Sequence, residues 1–317
     1  MDLIVPPPEI ARAGLRMLKM VAMADGELHD LERRLLEGAQ EHILRTDFDL
    51  DALEPITPEA LAEAVPIPEL RERILSAAVI MALIDGEATE PEGKLLRTIA
   101  DAFGIQSQAL KDVQRLIDKH LLIARIDIAR RAFIGQRARA YVGEQGVRGF
   151  VRALKGVFGI EDAKLAARYR ALADSPPGTL GRGYYDFVTK NEFSFPGEKN
   201  SGPEVILFHD CVHVLTEYDT SSIEETQIAS FQAGMLKKDP LFGMLFMLAQ
   251  FHLGVQVTPT TGPEKLVADP KLMLEAFVRG TQVNRDLCVD WNPWDDFHRP
   301  VAELRRELNI QPRRSHS

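Results

Sequence analysis

An internal repeat in the first third of the chain constrains the fold more than any other feature. VAMADGELHDLERRLL at 21–36 aligns with MALIDGEATEPEGKLL at 81–96, so that matched positions lie 60 residues apart. Both copies contain Asp-Gly-Glu, a later glutamate and a Leu-Leu pair. Each Asp-Gly-Glu follows apolar residues at helical spacing, and glycine readily takes the left-handed conformation that ends a helix. The repeat therefore predicts two similar helical hairpins packed with pseudo-twofold symmetry.

Local signals define these hairpins further. We expect the first helix to run from Pro8 to about Ala24, and the second to begin at Asp30 as its N-cap. The segment 47–68 is rich in Pro, Asp and Glu and is predicted to be a loop with a short helix. An EF-hand is excluded, because apolar residues stand at the first and third calcium-ligand positions. Helix capping is the favoured role for the acidic residues of the repeat, and a metal site is the alternative.

Composition limits the partners and the location. The chain has 317 residues and a net charge of −9, so nucleic acid is not an expected partner. The segment 121–170 is basic, with eleven Lys and Arg against four Asp and Glu, which fits either a phosphate or membrane contact or a solvated helix face. Two cysteines make no disulfide framework, and the start lacks a signal peptide. Leu241–Val255 is too short to span a bilayer, so we expect a cytoplasmic protein with at most peripheral contact to the inner membrane.

Two histidines four residues apart lie within an apolar stretch, PEVILFHDCVHVLT at 203–216. On a helix, His209 and His213 are about 40° apart and Asp210 lies about 100° from His209. Buried imidazoles and carboxylates are costly without partners. A metal ion would satisfy them, and so would hydrogen bonds within a buried histidine pair, and the spacing leaves both open.

A second predicted helix, Ile223 to Leu236, follows after a short turn. Antiparallel packing would bring Glu225 back toward His213, while Gln232 would share its face as an outer hydrogen-bonding partner. Two histidines and one or two carboxylates suit zinc with an open position, or non-haem iron.

Capping boxes compete for some of these residues. A serine followed three positions later by glutamate is typical of a helix N-terminus. Three such pairs occur here: Ser201 with Glu204, Ser221 with Glu224, and Ser222 with Glu225. Because Ser221 and Glu224 can cap the second helix, Glu225 is not needed for that role.

The duplicated Asp-Gly-Glu-x4-Glu, closed by IADAFGI at 99–105, resembles the TerB-like domain, a helical module first associated with tellurite resistance. The resemblance covers residues 9–120. It implies an all-helical domain, for which divalent-ion binding has been suggested. It also supports an alternative function as a metal or oxidant stress protein.

Residues 122–317 resemble the ubiquinone-biosynthesis family known as coenzyme Q biosynthesis protein four. The likeness rests on four segments in order: SPPGTLGRGYYDFV at 175–188, His209-Asp210-x-x-His213-x11-Glu225, FQAG at 231–234, and WNPWDDFHRPVAELRRELNI at 291–310. Together with the repeat, this resemblance leads us to expect an all-α protein of two domains.

The second resemblance implies a function. Its metal set, carried over residue by residue, is His209, Asp210, His213 and Glu225, with Glu225 and Asp210 as catalytic residues and zinc or iron as the divalent metal. The implied reaction replaces the C1 carboxylate of a prenylated 4-hydroxybenzoate-like substrate with hydroxyl and releases carbon dioxide. The metal would bind dioxygen or the ring phenolate. Partners would be the prenylated aromatic lipid or quinone precursor and other quinone-biosynthesis proteins. The alternative is a lipid-binding scaffold of such a complex with a structural metal.

Two positions depart from that family. Glu217 and Glu224 stand where its members usually have glycine. The apolar residues between Pro240 and Val255 suit either a lipid groove or, more simply, a buried core helix.

Overall fold

The chain is helical throughout the part that the computed structural model describes. That part comprises residues 3–87, 89–118, 120–132, 136–139, 141, 143, 160–199, 201–238, 240–257 and 262–314. Within these ranges there is no β-strand, only two isolated β-bridges. The predicted all-α class is confirmed. Much of the basic segment, including Gly146 and Gly149, lies outside the described residues.

The first part of the chain carries two helical hairpins and the helices that follow them. Its helices are α1 (Pro8–Ala22), α2 (Asp30–Gly38), α3 (Pro58–Ala64), α4 (Pro68–Met81), α5 (Glu90–Phe103), α6 (Gln108–Ile117) and α7 (Leu121–Arg131). A π-helical turn, Ala39–Leu44, continues α2. The short helix expected between the hairpins is α3.

The Asp-Gly-Glu turns join α1 to α2 and α4 to α5, as the repeat predicts. Gly26 and Gly86 have φ of 106° and 99°, a conformation that favours glycine. The first helices of the two hairpins, α1 and α4, pack against each other. The predicted N-cap Asp30 is wrong by one residue, because the extended residue is His29 and Asp30 is already helical. The predicted capping role is confirmed for Glu32, whose Oε2 accepts the His29 N–H at 2.8 Å. Its repeat partner Glu92 accepts the N–H of its own N-cap.

The second part of the chain supplies the histidines and the helices behind them. Its helices are α8 (Ala163–Arg170), α9 (Leu180–Lys190), α10 (Leu207–Thr216), α11 (Ser222–Met235), α12 (Pro240–Phe251), α13 (Pro270–Thr281) and α14 (Val301–Glu307). Short 3-10 turns occupy Ala171–Asp174, Glu204–Ile206 and Pro293–Asp295. Helix α11 packs against both α12 and α13, so one of its faces is available to α10.

Reciprocal glycines hold α11 against α13. A Cβ at Gly234 would lie 2.2 Å from the carbonyl oxygen of Phe277, and one at Gly280 would lie 2.0 Å from that of Phe231. The two helix backbones therefore approach so closely that only glycine fits at either position. This contact fixes the helix that carries Glu225.

The two parts share one contiguous apolar core. Gly38 at the end of α2 packs against Leu274 of α13. The buried His252 donates from Nε2 to the carbonyl of Ile84 at 2.7 Å and accepts the Ala268 N–H on Nδ1 at 3.2 Å. The division into two domains near residue 121 stays a prediction.

Helix α12 is a core helix. Its residues from Phe242 to Phe251 are all buried, which is the simpler of the two roles expected for this apolar stretch. Across the described ranges, no helix is both long and apolar enough to cross a membrane.

Candidate metal centre

Helix α10 begins at Leu207, later than the sequence predicts, and a 3-10 turn precedes it. The predicted capping box of Ser201 and Glu204 is wrong. Glu204 instead accepts hydrogen bonds from the hydroxyls of Tyr141 and Tyr169, each at 2.9 Å. Ser201 accepts one from the preceding loop. Because the hydroxyls of these two tyrosines, which are distant in the sequence, bind its carboxylate, Glu204 does not cap the start of α10.

The end of α10 determines how the second histidine is held. Glu217 has a φ of 64°, in the left-handed region, and its N–H bonds to the carbonyl of His213 at 2.9 Å. This turn brings the carbonyl oxygen of Tyr218 within 3.1 Å of His213 Nδ1. The Glu217 side chain pairs with Arg305 at 2.8 Å. A backbone conformation that suits glycine is thus occupied here by glutamate.

At the start of α11, neither predicted capping box forms. Glu224 makes two hydrogen bonds with Arg313, at 2.7 and 2.9 Å, and accepts the Asp219 N–H at 2.6 Å. The hydroxyl of Ser222 donates to Glu264. Glu225 has no capping role and faces α10.

Three side chains converge between α10 and α11, and we call His209, His213 and Glu225 the histidine cluster. The two Nε2 atoms are 3.3 Å apart. Glu225 Oε1 lies 3.3 Å from His213 Nε2, and Oε2 lies 3.5 Å from His209 Nε2. One ligand atom from each residue can therefore contact a single ion. The predicted return of Glu225 toward His213 is present in the structure.

Hydrogen bonds on the far side of each ring orient the histidines. His209 Nδ1 lies 3.1 Å from Gln232 Oε1, the outer contact that the sequence suggests. The Tyr218 carbonyl can only accept, so His213 Nδ1 carries the hydrogen of that bond. Phe187 stacks on His213, with ring centroids 5.0 Å apart. With Nδ1 donating, each Nε2 faces Glu225, and in the neutral form of a ring this Nε2 carries the lone pair that a metal ion would use, the arrangement typical of metal-binding histidines.

The cluster forms a charged pair inside apolar surroundings. Burial alone would lower the pKa of His209, but its hydrogen bond to Glu225 and that carboxylate's charge raise it to about 9. Burial opposes ionisation of Glu225, yet hydrogen bonds from both histidines hold its pKa well below the usual range. The His213 side chain is 2 % exposed, whereas those of His209 and Glu225 are 23 % and 21 % exposed. One side of the cluster is therefore open.

Asp210 is adjacent to the cluster and is not one of its three converging ligands. Burial raises the pKa of its carboxyl to about 6, against the opposing effect of the two histidines. Its charge also acts on the buried hydroxyl of Tyr184. Its predicted roles as a fourth ligand and as a catalytic residue stay predictions.

A second group of ligand-type side chains joins the two Asp-Gly-Glu turns. Asp25, His29 and Asp85, which we call the turn cluster, also bring one ligand atom each within 4.8 Å of one another. Asp25 and Asp85 each accept a backbone N–H two residues on, at 3.2 and 3.1 Å. The side chains of His29 and Asp25 are 44 % and 30 % exposed. These residues already have local partners in the turns.

The sequence reasoning identified Gln232 but missed Tyr184, Phe187 and the Tyr218 carbonyl. Among the described residues, the Tyr184 hydroxyl and the Gln232 side-chain nitrogen are buried polar atoms without a protein hydrogen-bond partner. Tyr184 and Phe187 lie in SPPGTLGRGYYDFV at 175–188, so the segment was a usable signal. The Tyr218 carbonyl carried no signal, because a backbone oxygen is placed by the turn and not by residue type.

Comparisons of the chain with protein-family models, with curated proteins and with solved structures found no match. The two family resemblances therefore stay predictions. The chemistry of the site rests on the residues themselves.

Proposed function

We propose that the histidine cluster binds a divalent metal ion and that the protein is a metal-dependent enzyme of the quinone-biosynthesis type. The observation that carries the proposal is the convergence of two oriented Nε2 atoms and one carboxylate within 3.3 to 3.5 Å. Two histidines and a carboxylate are a ligand set used by both zinc and non-haem iron. The open side leaves room for a substrate group.

The reaction that we propose is oxidative decarboxylation of a prenylated 4-hydroxybenzoate-like acid. The ring carboxylate leaves as carbon dioxide and hydroxyl takes its place, which requires dioxygen and a reductant. A bound metal would supply Lewis acidity, or redox capacity if it is iron. Such a substrate is a lipid, so the proposal extends to peripheral contact with a membrane and with other quinone-biosynthesis proteins.

The residues of the chain have separate parts in this proposal. His209, His213 and Glu225 would hold the ion, while Gln232 and the Tyr218 carbonyl fix the two rings. The free side-chain nitrogen of Gln232 could donate to a substrate oxygen, because a buried donor without a partner costs about 1–3 kcal/mol. The carboxyl of Asp210 could hold a proton beside the site.

The test combines metal content with turnover. Wild type and Glu225→Ala are reconstituted with ferrous iron or with zinc, and metal is counted by mass spectrometry. Product is measured from a prenylated 4-hydroxybenzoate with dioxygen and a reductant. For wild type, we expect one bound ion per chain and formation of product. For Glu225→Ala, we expect no bound ion and no product. The circular dichroism spectra of the two proteins should be the same. Glu224→Gln, one position away, is the matched control and should retain both. A wild-type protein that takes up no metal would refute the proposal.

A second candidate is a lipid-binding scaffold whose metal is structural. Ligand atoms of a tetrahedral zinc site with bonds of about 2.1 Å lie about 3.4 Å apart, close to the separations seen here. A structural ion stabilises the fold. Zinc binding without turnover, together with unfolding when the metal is removed, would favour this candidate.

A further inference from the structure

An apolar cavity of about 200 Å³ lies at the junction between the two parts of the chain. We call it the junction cavity. Helices α1, α2 and α4 line it from one side, and α12 and α13 line it from the other. Representative lining residues are Leu18, Leu35, Ile74, Leu241, Met244 and Phe277. Leu3, Ile4 and Pro6, from the segment before α1, also line it.

The junction cavity is too large to be an ordinary packing defect. Protein interiors are close-packed, and voids larger than a water molecule are few. An engineered apolar cavity of roughly 150 Å³ stays dry and binds benzene. By the same proportion, a cavity of about 200 Å³ has room for roughly eight carbon atoms. Its lining offers water almost nothing to bond, so an apolar ligand suits it.

The cavity is separate from the histidine cluster. Gly234 packs on the backbone of Phe277, which lines the cavity. Gly234 lies nine positions after Glu225 on α11, a rise of about 13.5 Å along the helix. A ligand in the cavity would therefore not need to contact the metal ligands.

The polar lining indicates what kind of head group the ligand carries. Arg73 is the one charged side chain among the described residues that line the cavity. It lies one turn before Ala77 on the same face of α4, and both line the cavity. Arginine pairs well with carboxylates. If the acidic group of a ligand binds Arg73, the hydrocarbon chain attached to it can contact the apolar residues that line the cavity.

We propose that the junction cavity binds a medium-chain carboxylic acid. The hydrocarbon chain of the acid is buried between the two parts of the protein, and its carboxylate contacts Arg73. The segment 3–7 before α1 covers the hydrocarbon chain of the ligand. Ile4 and Val5 in this segment are 38 % and 41 % exposed, so it is only partly packed against the rest of the protein. This site uses no residue of the histidine cluster and stands whether or not that cluster binds a metal.

The first test is a chain-length series of saturated carboxylic acids, from four to twelve carbons, titrated into the full chain by calorimetry. Each buried methylene should tighten binding about fourfold. The gain should stop near eight carbons, where the cavity is full. Octanoate that does not bind, or affinity that keeps rising to twelve carbons as on an open surface, would overturn the proposal.

Cavity-filling variants locate the site. Ala77→Phe from α4 and Met244→Phe from α12 should each weaken octanoate binding at least tenfold. Ala102→Phe on α5, outside the cavity lining, is the matched control and should bind as wild type does. Circular dichroism checks each fold, and either cavity variant alone suffices if the other misfolds. Wild-type affinity in a folded cavity variant would contradict the assignment.

Removing the charge tests the head group. Arg73→Gln should weaken octanoate binding about tenfold and leave octanol unchanged, and Arg12→Gln, an exposed arginine of α1, is the control. Citronellic acid, a branched isoprenoid acid, separates the possible sources of the ligand. Tighter binding of octanoate supports a fatty acid, whereas tighter binding of citronellic acid would overturn the straight-chain assignment. Equal weakening of octanol by Arg73→Gln would contradict the head-group contact.

Discussion

The described part of the chain has two groups of side chains that could bind a metal ion, and they differ in the other contacts that their atoms make. In the turn cluster, both aspartates accept backbone hydrogen bonds and solvent reaches the side chains. In the histidine cluster, both Glu225 oxygens face imidazole nitrogens, and no backbone group of the described residues is hydrogen-bonded to them. The first group stabilises two turns, whereas the second leaves three donor atoms facing one point.

The comparison teaches that residue type and proximity do not define a metal site. Ligand atoms must also be oriented and free of other roles. The outer bonds from Gln232 and the Tyr218 carbonyl orient the two imidazoles, whereas the ring of His29 in the turn cluster contacts Asp25 at 3.5 Å. We therefore expect the histidine cluster to be the tighter metal site.

The largest expected effect is loss of metal from one group and not the other. Removing a ligand should weaken binding more than the 10- to 100-fold that outer partners are typically worth. We expect His213→Ala to abolish the high-affinity zinc binding of metal-free protein in calorimetric titration. His29→Ala should titrate as wild type does. The reverse pattern would transfer the metal site to the turn cluster.

Sequence reasoning predicted those parts of the molecule that local signals determine. Glycine at a positive φ defined both Asp-Gly-Glu turns, and the spacing of His209 and His213 with a short following turn was enough to predict the approach of Glu225. Gln232 was also found because helical periodicity places it on the same face as Glu225.

Sequence reasoning could not predict the contacts that depend on residues distant in the sequence. The Ser201 and Ser221 capping boxes fail because Glu204 and Glu224 are taken by tyrosines and an arginine remote in the sequence. The contact of α2 with α13 joins segments more than 200 residues apart and leaves no local pattern. Local motifs thus predict where a helix lies more reliably than they predict which side chains form hydrogen bonds with its ends.

The buried His252 gives a sharper version of the comparison. Both ring nitrogens of His252 are bonded to the backbone, and burial keeps its pKa below the usual value. His252→Ala would orphan the Ile84 carbonyl and the Ala268 N–H, so the free energy of unfolding should fall by about 3 kcal/mol. Zinc affinity should not change. Urea unfolding measures the first quantity and calorimetry the second. Comparable destabilisation in exposed His29→Ala would show that these hydrogen bonds are not the cause.

The orienting bond on His209 predicts an intermediate effect. Gln232→Leu keeps the size of the side chain but removes the acceptor for Nδ1–H, so zinc affinity should fall 10- to 100-fold. Gln232→Glu supplies a stronger acceptor and should restore it. Zinc titration of both variants measures the effect. Equal loss in both would mean that packing, and not the hydrogen bond, positions the ring.

The smallest effect concerns the capping glutamates beside the turn cluster. Glu32 and Glu92 are 1 % and 3 % exposed, and burial raises the pKa of each from 4.5 to about 7. The folded chain therefore binds more protons than the unfolded chain between these pH values. The stability that these groups contribute is present below pH 4.5 and is lost as the pH rises through 7.

Wild type should accordingly lose roughly 1 kcal/mol of unfolding free energy per pH unit for each of the two carboxyls between about pH 5 and 7, relative to a Glu32→Gln/Glu92→Gln variant. Glutamine keeps an oxygen that can accept the capping N–H and cannot ionise, so the variant isolates the titration from the cap. Urea unfolding across this range measures the difference. The exposed pair Glu27→Gln/Glu87→Gln, from the same two turns, should follow wild type. If the Glu32→Gln/Glu92→Gln variant shows the same pH dependence as wild type, burial does not raise the pKa of Glu32 and Glu92. The two turns would then tolerate ionised carboxylates as well as the histidine cluster tolerates that of Glu225.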